Sequence, residues 1–553
     1  MKKILLIIIL IITQSIHSQT NFSETQKLAA TCKVWGFLKY YHPKVAHGDF
    51  NWDKQLLEML PKIYQAKTKD EFSLVLENWI DSLGEVPAAT PIALPKDVQY
   101  FDKNFDLSWI KNKKLFSENL AVKLKFIEQN RFQGDQYYIT TFNAGNVLLQ
   151  NENYSNFQPN SKESRLQVLF MYWNLMEYFF PYKYLMDKNW NTTLEEMVPI
   201  FINAENEDDF YTAMKKLTVR LNDSHAIFYK YPIKEDEQKK NINYFPAKCK
   251  IIDDKIIVTK ILSDSLAKAD DIKVGDVITK INDKTIKEII SENKEIVNGS
   301  NEAFYLKNLE MPILSGYSDN VKLEFLEDGQ YKSKMINWYQ VHDAHRNEYR
   351  HAEIKEKFKI LNNNIGYVDM GLLKIKNVPS MIEKLKLTKA IIFDLRNYPN
   401  GTYKEISNFL NSKPKEFVVY TKPDLTYPGR YKWSQPSITG LENNDNYKGK
   451  IVVLVNEETL SQAEWTAMCF KTADNTTIIG SQTAGADGNV SDFDLIKAFY
   501  TRFTGIGVYY PDKHETQRVG IIPDIAVKTT IKGIQEGKDE ILDRALEFIE
   551  AQK

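Results

Sequence analysis

The chain has 553 residues, 43% of them hydrophobic and 12% aromatic, with 72 Lys+Arg against 73 Asp+Glu. At about 150 residues per domain, this length accommodates several domains. The near-neutral charge excludes the strongly basic surface of a general nucleic-acid binder, and the composition excludes a mostly disordered or collagen-like chain.

Lys2 and Lys3 precede an unbroken apolar run, Ile4 to Ile12, followed by small and polar residues through Ser18. This is the pattern of a secretory signal peptide, and the run is too short to span a bilayer as a mature helix. The expectation is an exported protein, periplasmic or secreted, cut near Ser18–Gln19, with no stable membrane span after cleavage. Cys32, Cys249 and Cys469 are odd in number and well separated, too few for a disulfide scaffold, and read as buried thiols.

The segment from about Lys33 to Leu83 recurs 138 residues later without a gap. Trp35 matches Trp173, Tyr40 matches Tyr178, Pro43 matches Pro181, and Asn51-Trp52 matches Asn189-Trp190. Each copy has helix-like apolar spacing, a proline-containing break, a second helix and a third starting near Asp-Phe. Two copies are too few for a solenoid, so a duplicated helical module is expected, over 19–87 and 161–235. The copies differ at their ends: Pro87 stands where the second copy has His225, in Asp223-Ser224-His225. Architecture alone does not require that histidine, which points to chemistry in the second copy only. The insert between the copies, 88–160, reads as strand-rich, with Tyr137 to Phe142 as one strand.

Over 245–340 short strands alternate with turns, as in Lys273-Val274-Gly275-Asp276-Val277-Ile278. This stretch resembles a PDZ domain, a module that binds extended peptides by adding a strand to a sheet edge. Over 350–553 apolar strands alternate with helical stretches, the mark of an α/β layer structure whose active groups commonly sit at strand ends. Three strand ends stand out. Ile391 to Leu395 runs into a Pro399-Asn400-Gly401 turn, which exposes backbone N–H groups before a helix. Ile451 to Val455 leads to Ser461 at the start of a helix, where the hydroxyl can be presented as a nucleophile. Ser461 to Glu464 is equally a capping box, and the residues alone leave both readings open. The third is the small-residue loop Gly480 to Gly488.

Together these places resemble the tail-specific (C-terminal-processing) and tricorn-core family of serine peptidases with a PDZ domain. The carrying motifs are Asp394-Leu395-Arg396-Asn397-Tyr398-Pro399-Asn400-Gly401, Thr459-Leu460-Ser461-Gln462-Ala463-Glu464 and Gly520-Ile521-Ile522-Pro523-Asp524. The resemblance implies a crotonase/ClpP-like peptidase domain, giving a multidomain α/β protein, and makes Ser461 the nucleophile. One branch of the family activates its serine with a lysine, but Ala486 occupies that position here. The tricorn-like branch uses a histidine upstream of the PDZ domain, which implies His225 as base and Ser224 as an assisting group. A carboxylate would orient the histidine. Family spacing points to Gln517, whereas charge favours Glu515, two residues earlier on the same strand face. The N–H groups of Gly401 and Gln462 are the oxyanion-hole candidates. The function implied is an exported serine endopeptidase acting on peptide or unfolded protein substrates. The alternative is an inactive peptide- or ligand-binding relative. The His342, His345 and His351 cluster lacks a companion carboxylate pattern, and no dinucleotide or Walker glycine motif occurs, so no metal or cofactor is expected.

Overall fold

The computed structural model describes residues 22–152, 157–231, 242–340, 356–496 and 499–551. The signal segment and the His342–His351 cluster lie outside these residues. Among them, no helix is long and apolar enough to cross a membrane, and the three cysteines are free and buried.

The repeat appears as matching helices. Glu24–Tyr41, Trp52–Gln65 and Lys69–Ser82 correspond to Lys162–Phe179, Trp190–Asn203 and Glu207–Val219. Asn51 and Asn189 cap the second helix of each copy by accepting backbone N–H groups. Paired tryptophans hold each copy together. The Trp35 and Trp52 indoles each donate to the other's carbonyl, at 3.4 and 3.1 Å, and Trp173 and Trp190 do the same at 2.9 and 3.0 Å. A buried indole N–H needs such a partner, which explains why both tryptophans of each copy were retained.

The first helices of the two copies pack on each other at equivalent positions. The buried Asn174 amide donates to the Cys32 and Phe170 carbonyls at 2.9 and 2.8 Å. A Cβ on Gly36, the residue equivalent to Asn174, would sit 1.8 Å from the Asn174 Oδ1. Gly36→Ala must therefore displace a hydrogen-bonded buried amide. It is expected to cost about 2 kcal/mol despite the better helix propensity of alanine. Scanning calorimetry should show a lowered transition, partly recovered by the double change Gly36→Ala/Asn174→Ala.

The insert carries a helix, Glu118–Gln129, alongside the short strands Tyr100–Phe101, Ile139–Thr141 and Val147–Leu149. Leu120, Leu124 and Ile127 give that helix its buried face. Tyr100–Phe101 pairs antiparallel with Tyr431–Trp433, and the Tyr41 hydroxyl donates to the Pro428 carbonyl at 2.7 Å. The core of the helical module runs on without a break into Tyr431, Phe503 and Tyr509 of the C-terminal half.

The stretch that resembles a PDZ domain is a sheet in which Ala247–Ile252 forms one edge and Gln330–Asn337 the other. The helix Glu302–Ile313 packs beside the Ala247–Ile252 edge. The C-terminal domain centres on a sheet of order Phe358–Leu361, Ile365–Asp369, Ala390–Asp394, Lys450–Val455, Thr476–Gly480 and Ile525–Ala526. All its neighbours are parallel except the first pair. Ala390–Asp394 is buried throughout, as a parallel strand covered on both faces must be. Helices Tyr403–Leu410 and Gln462–Lys471 pack together against it and its neighbours.

Candidate active site

Ser461 stands between the strand Lys450–Val455 and the helix Gln462–Lys471, with φ 58° and ψ −118°. A non-glycine residue rarely adopts positive φ, and such strain persists only where the surroundings over-determine it. Here the clamp is visible. The buried Glu464 carboxylate accepts from the N–H groups of Gly485, Ala486 and Ser461 at 2.7, 3.0 and 3.2 Å, and from the Thr483 hydroxyl. Burial pushes its carboxyl above the ordinary carboxylate range, and these donors oppose the push. The Ser461 N–H also donates to the Ala486 carbonyl at 3.0 Å. Glu464 thus makes its half of the capping box while holding the serine in a strained turn.

Thr459, fully buried, joins three strand ends. Its hydroxyl donates to the Leu395 carbonyl at 2.8 Å and accepts from the Asn456 N–H at 3.0 Å. Its carbonyl accepts from the Ala484 N–H at 3.0 Å. The turn after Ala390–Asp394 is fixed by Asn397 on the Asp369 carboxylate at 2.9 Å and by Asn400 on the Gly371 carbonyl at 2.7 Å. Gly401 closes that turn at φ 69°, beside Gln462: a Cβ there would lie 3.5 Å from Gln462 Nε2. Neither the Gly401 nor the Gln462 N–H donates a hydrogen bond within the described residues. Gln462 adjoins Ser461 in the chain and Gly401 lies beside the Gln462 side chain, so both free amides belong to the neighbourhood of the serine.

His225 reaches this domain through the strand that follows it. Ile227–Lys230 pairs antiparallel with Phe499–Thr504, Ile227 opposite Arg502, which carries His225 to Thr504. The His225 Nδ1 lies 3.0 Å from the Thr504 hydroxyl oxygen. That hydroxyl lies 2.9 Å from the Asp223 carboxylate, which also receives the N–H groups of Thr504 and His225 at 2.8 and 3.1 Å. An ionised carboxylate only accepts, so the single Thr504 proton goes to Asp223 and the Thr504 oxygen accepts from Nδ1–H. This network assigns the tautomer in which Nε2 carries the free lone pair. No hydrogen bond to Nε2 occurs among the described residues. Burial is the largest influence on the imidazole and depresses its pKa to about 4, with Arg502 assisting and Asp223 opposing.

Ser224 is buried and its hydroxyl is fully engaged. It donates to the Ala484 carbonyl at 2.7 Å and accepts from the Ser300 N–H at 2.9 Å. Ser224 and Ser461 thus dock on the same short loop, Ala484 to Ala486, which brings the histidine segment and the serine turn together. Gln517 is buried and donates to the Asp223 carboxylate at 3.2 Å. Glu515 lies elsewhere: it accepts from the Tyr184 hydroxyl at 3.2 Å and sits 3.8 Å from Lys103 Nζ. The same-face reading of residues 515 and 517 fails because the chain leaves its single bridge at Glu515 and turns, with Arg518 at φ 68°. The carboxylate in reach of the imidazole through a hydroxyl is Asp223. Only the Asp-Ser-His triplet hinted at it in the sequence, and Thr504 gave no signal. Among the described residues no group of three or more His, Cys, Asp and Glu side chains could hold a metal ion.

Comparison with known proteins gives matches over both C-terminal regions. Residues 364–527 match the model of Peptidase family S41, and residues 233–303 match that of the PDZ domain. A probable CtpA-like serine protease of Staphylococcus aureus (strain COL) is 26% identical over 283 residues, covering 50% of this chain and 51% of the relative. The same figures hold for its counterpart in strain N315. The chain spans about half the length of the curated relatives it matches. Among solved structures, mature CPAF aligns with a TM-score of 0.56 at 14% identity, covering 71% of this chain and 98% of that chain. Mature CPAF complexed with lactacystin aligns at 0.55 and 14%, covering 71% and 99%. At this identity the likeness is one of fold.

Proposed function

We propose that this chain, whose residues 364–527 match the model of Peptidase family S41 and 233–303 that of the PDZ domain, is an exported serine endopeptidase working through an acyl-enzyme. The observation that carries the reading is Ser461, held at positive φ on a strand-to-helix turn with two free amides beside it. Strain maintained by a buried carboxylate and two loop amides has no structural use for a simple helix cap.

In this reading the Ser461 Oγ attacks the peptide carbonyl while His225 Nε2 takes its proton. The carbonyl electron pair moves onto oxygen, which the Gly401 and Gln462 N–H groups hold. Collapse of this adduct expels the amine, which receives the proton from His225, and water then cleaves the acyl-enzyme by the same steps. Asp223 acts through Thr504 to keep Nδ1 protonated and to stabilise the imidazolium. Catalytic hydrogen bonds commonly tighten only once substrate is bound, consistent with an unengaged Nε2.

The PDZ domain would hold an extended peptide or unfolded segment along its Ala247–Ile252 edge, beside the Glu302–Ile313 helix. Two ion pairs, Lys250–Glu457 and Lys307–Glu458 (the latter 3.6 Å), tie that groove to the loop leading into Ser461. A fluorophosphonate probe should label the wild-type protein at Ser461, with casein cleaved in parallel. A protein that is neither labelled nor able to cut casein is instead a binding relative.

A further inference from the structure

We propose that the cavity beside Ser461 receives a cationic side chain, lysine or arginine, with Asp487 as its counter-charge. The inference rests on Ser461 being the nucleophile and names the substrate class of that site. The cavity, about 310 Å³, has both Ser461 and Asp487 in its lining, and its place beside the nucleophile suits the side chain of the residue whose carbonyl Ser461 attacks.

Asp487 is only 5% exposed. One of its carboxyl oxygens accepts from the Thr516 hydroxyl at 2.8 Å, and the other has no partner among the described residues. No lysine, arginine or histidine of the described chain pairs with it. A buried carboxyl oxygen without a partner is costly, and burial favours the neutral form until an opposite charge comes within reach. The neighbouring carboxylate, Glu464, differs in this respect, being satisfied by four donors of its own chain.

The walls suit an ammonium or guanidinium on an aliphatic stem. Tyr398, Tyr403, Tyr420 and Trp465 are among the residues that line the cavity. Tyr403 and Trp465 meet edge to face at 4.2 Å, and the Trp465 indole donates to the Tyr420 hydroxyl at 2.9 Å, which fixes the wall. Such rings cover methylene groups and attract a cation by their negative faces. Burial and the nearby Glu464 push the Asp487 carboxyl up to about 8, so the empty cavity holds it protonated near neutrality. An entering cation favours the ionised form, and the Asp487 proton passes to solvent.

The test compares peptides identical except for arginine, lysine, citrulline or norleucine at the residue before the scissile bond. Arginine and lysine should exceed citrulline and norleucine by about a hundredfold in kcat/KM, and Asp487→Asn should reduce that ratio to a few-fold. Arginine against citrulline decides the matter in the wild type even where Asp487→Asn does not fold, because the two differ in charge and hardly in shape. Equal rates, or a ratio unchanged in Asp487→Asn, would overturn the assignment. The same peptides titrated onto Ser461→Ala separate the two readings. A preference for arginine in that variant, with an unlabelled wild type, retains the cavity and rejects the nucleophile. A labelled wild type with no charge preference does the reverse.

Discussion

Replacing Ser461 or His225 by alanine is expected to lower kcat by up to about a millionfold, and replacing both should cost little more than either alone. The serine hydroxyl is a poor nucleophile until a base takes its proton, and the imidazole has no other proton to take, so the two act as a unit. Stopped assays of a fluorogenic peptide over days measure the residual rate, with circular dichroism showing that each variant is folded. Losses that multiply in the double variant would mean separate roles and remove the Ser-His unit. The pH dependence gives an independent measurement. Burial disfavours the charged imidazolium and brings the His225 pKa down to about 4, so the base form persists as pH falls through the ordinary histidine range. The acidic limb of kcat/KM should therefore lie well below pH 6.5; a limb at 6.5 would place the working base elsewhere.

Much of this architecture is legible in the amino-acid sequence because its signals are local or repeat at fixed spacing. The duplication rests on large residues that cannot drift: each copy needs both members of its reciprocal tryptophan pair. The central strands announce themselves as unbroken apolar runs, such as Ile451 to Val455, because parallel strands are buried on both faces. The motif Thr459 to Glu464 could be found, and so could Gly520 to Asp524, where the Ile521 N–H donates to the Thr483 hydroxyl at 2.8 Å. What the motif did not disclose is the positive φ of Ser461, because that strain comes from Glu464 and a loop about twenty residues further on. Thr504 was invisible for a different reason. It sits 279 residues from His225 in the chain, and the two meet only through the register of a strand pair. A threonine in a strand is otherwise unremarked. Glu515 illustrates the converse error: alternation predicts facing only while the chain remains a strand, and pairing here is a single bridge that ends at Glu515.

Thr504→Val is expected to lower kcat by about a thousandfold with KM little changed, whereas Thr504→Ser should stay within about tenfold of wild type. Valine matches threonine in shape, so the buried strand keeps its packing and loses one hydroxyl. Asp223 would still accept from the Thr504 and His225 N–H groups, which holds the backbone in place. The imidazole, however, loses the acceptor that keeps Nδ1 protonated, and the tautomer with a free Nε2 is no longer selected. Asp223→Asn should be worse, by about ten-thousandfold, because an amide can donate to the Thr504 oxygen and turn its hydroxyl proton toward Nδ1. That reversal fixes the proton on Nε2, where the serine proton must go. Nitrogen-15 spectra of the histidine ring distinguish these cases: Nδ1–H in wild type and Thr504→Ser, a mixture in Thr504→Val, and Nε2–H in Asp223→Asn. A merely structural threonine would leave the tautomer unchanged, and a Thr504→Val enzyme with wild-type kcat and intact Nδ1–H would show that the carboxylate does not act through this hydroxyl.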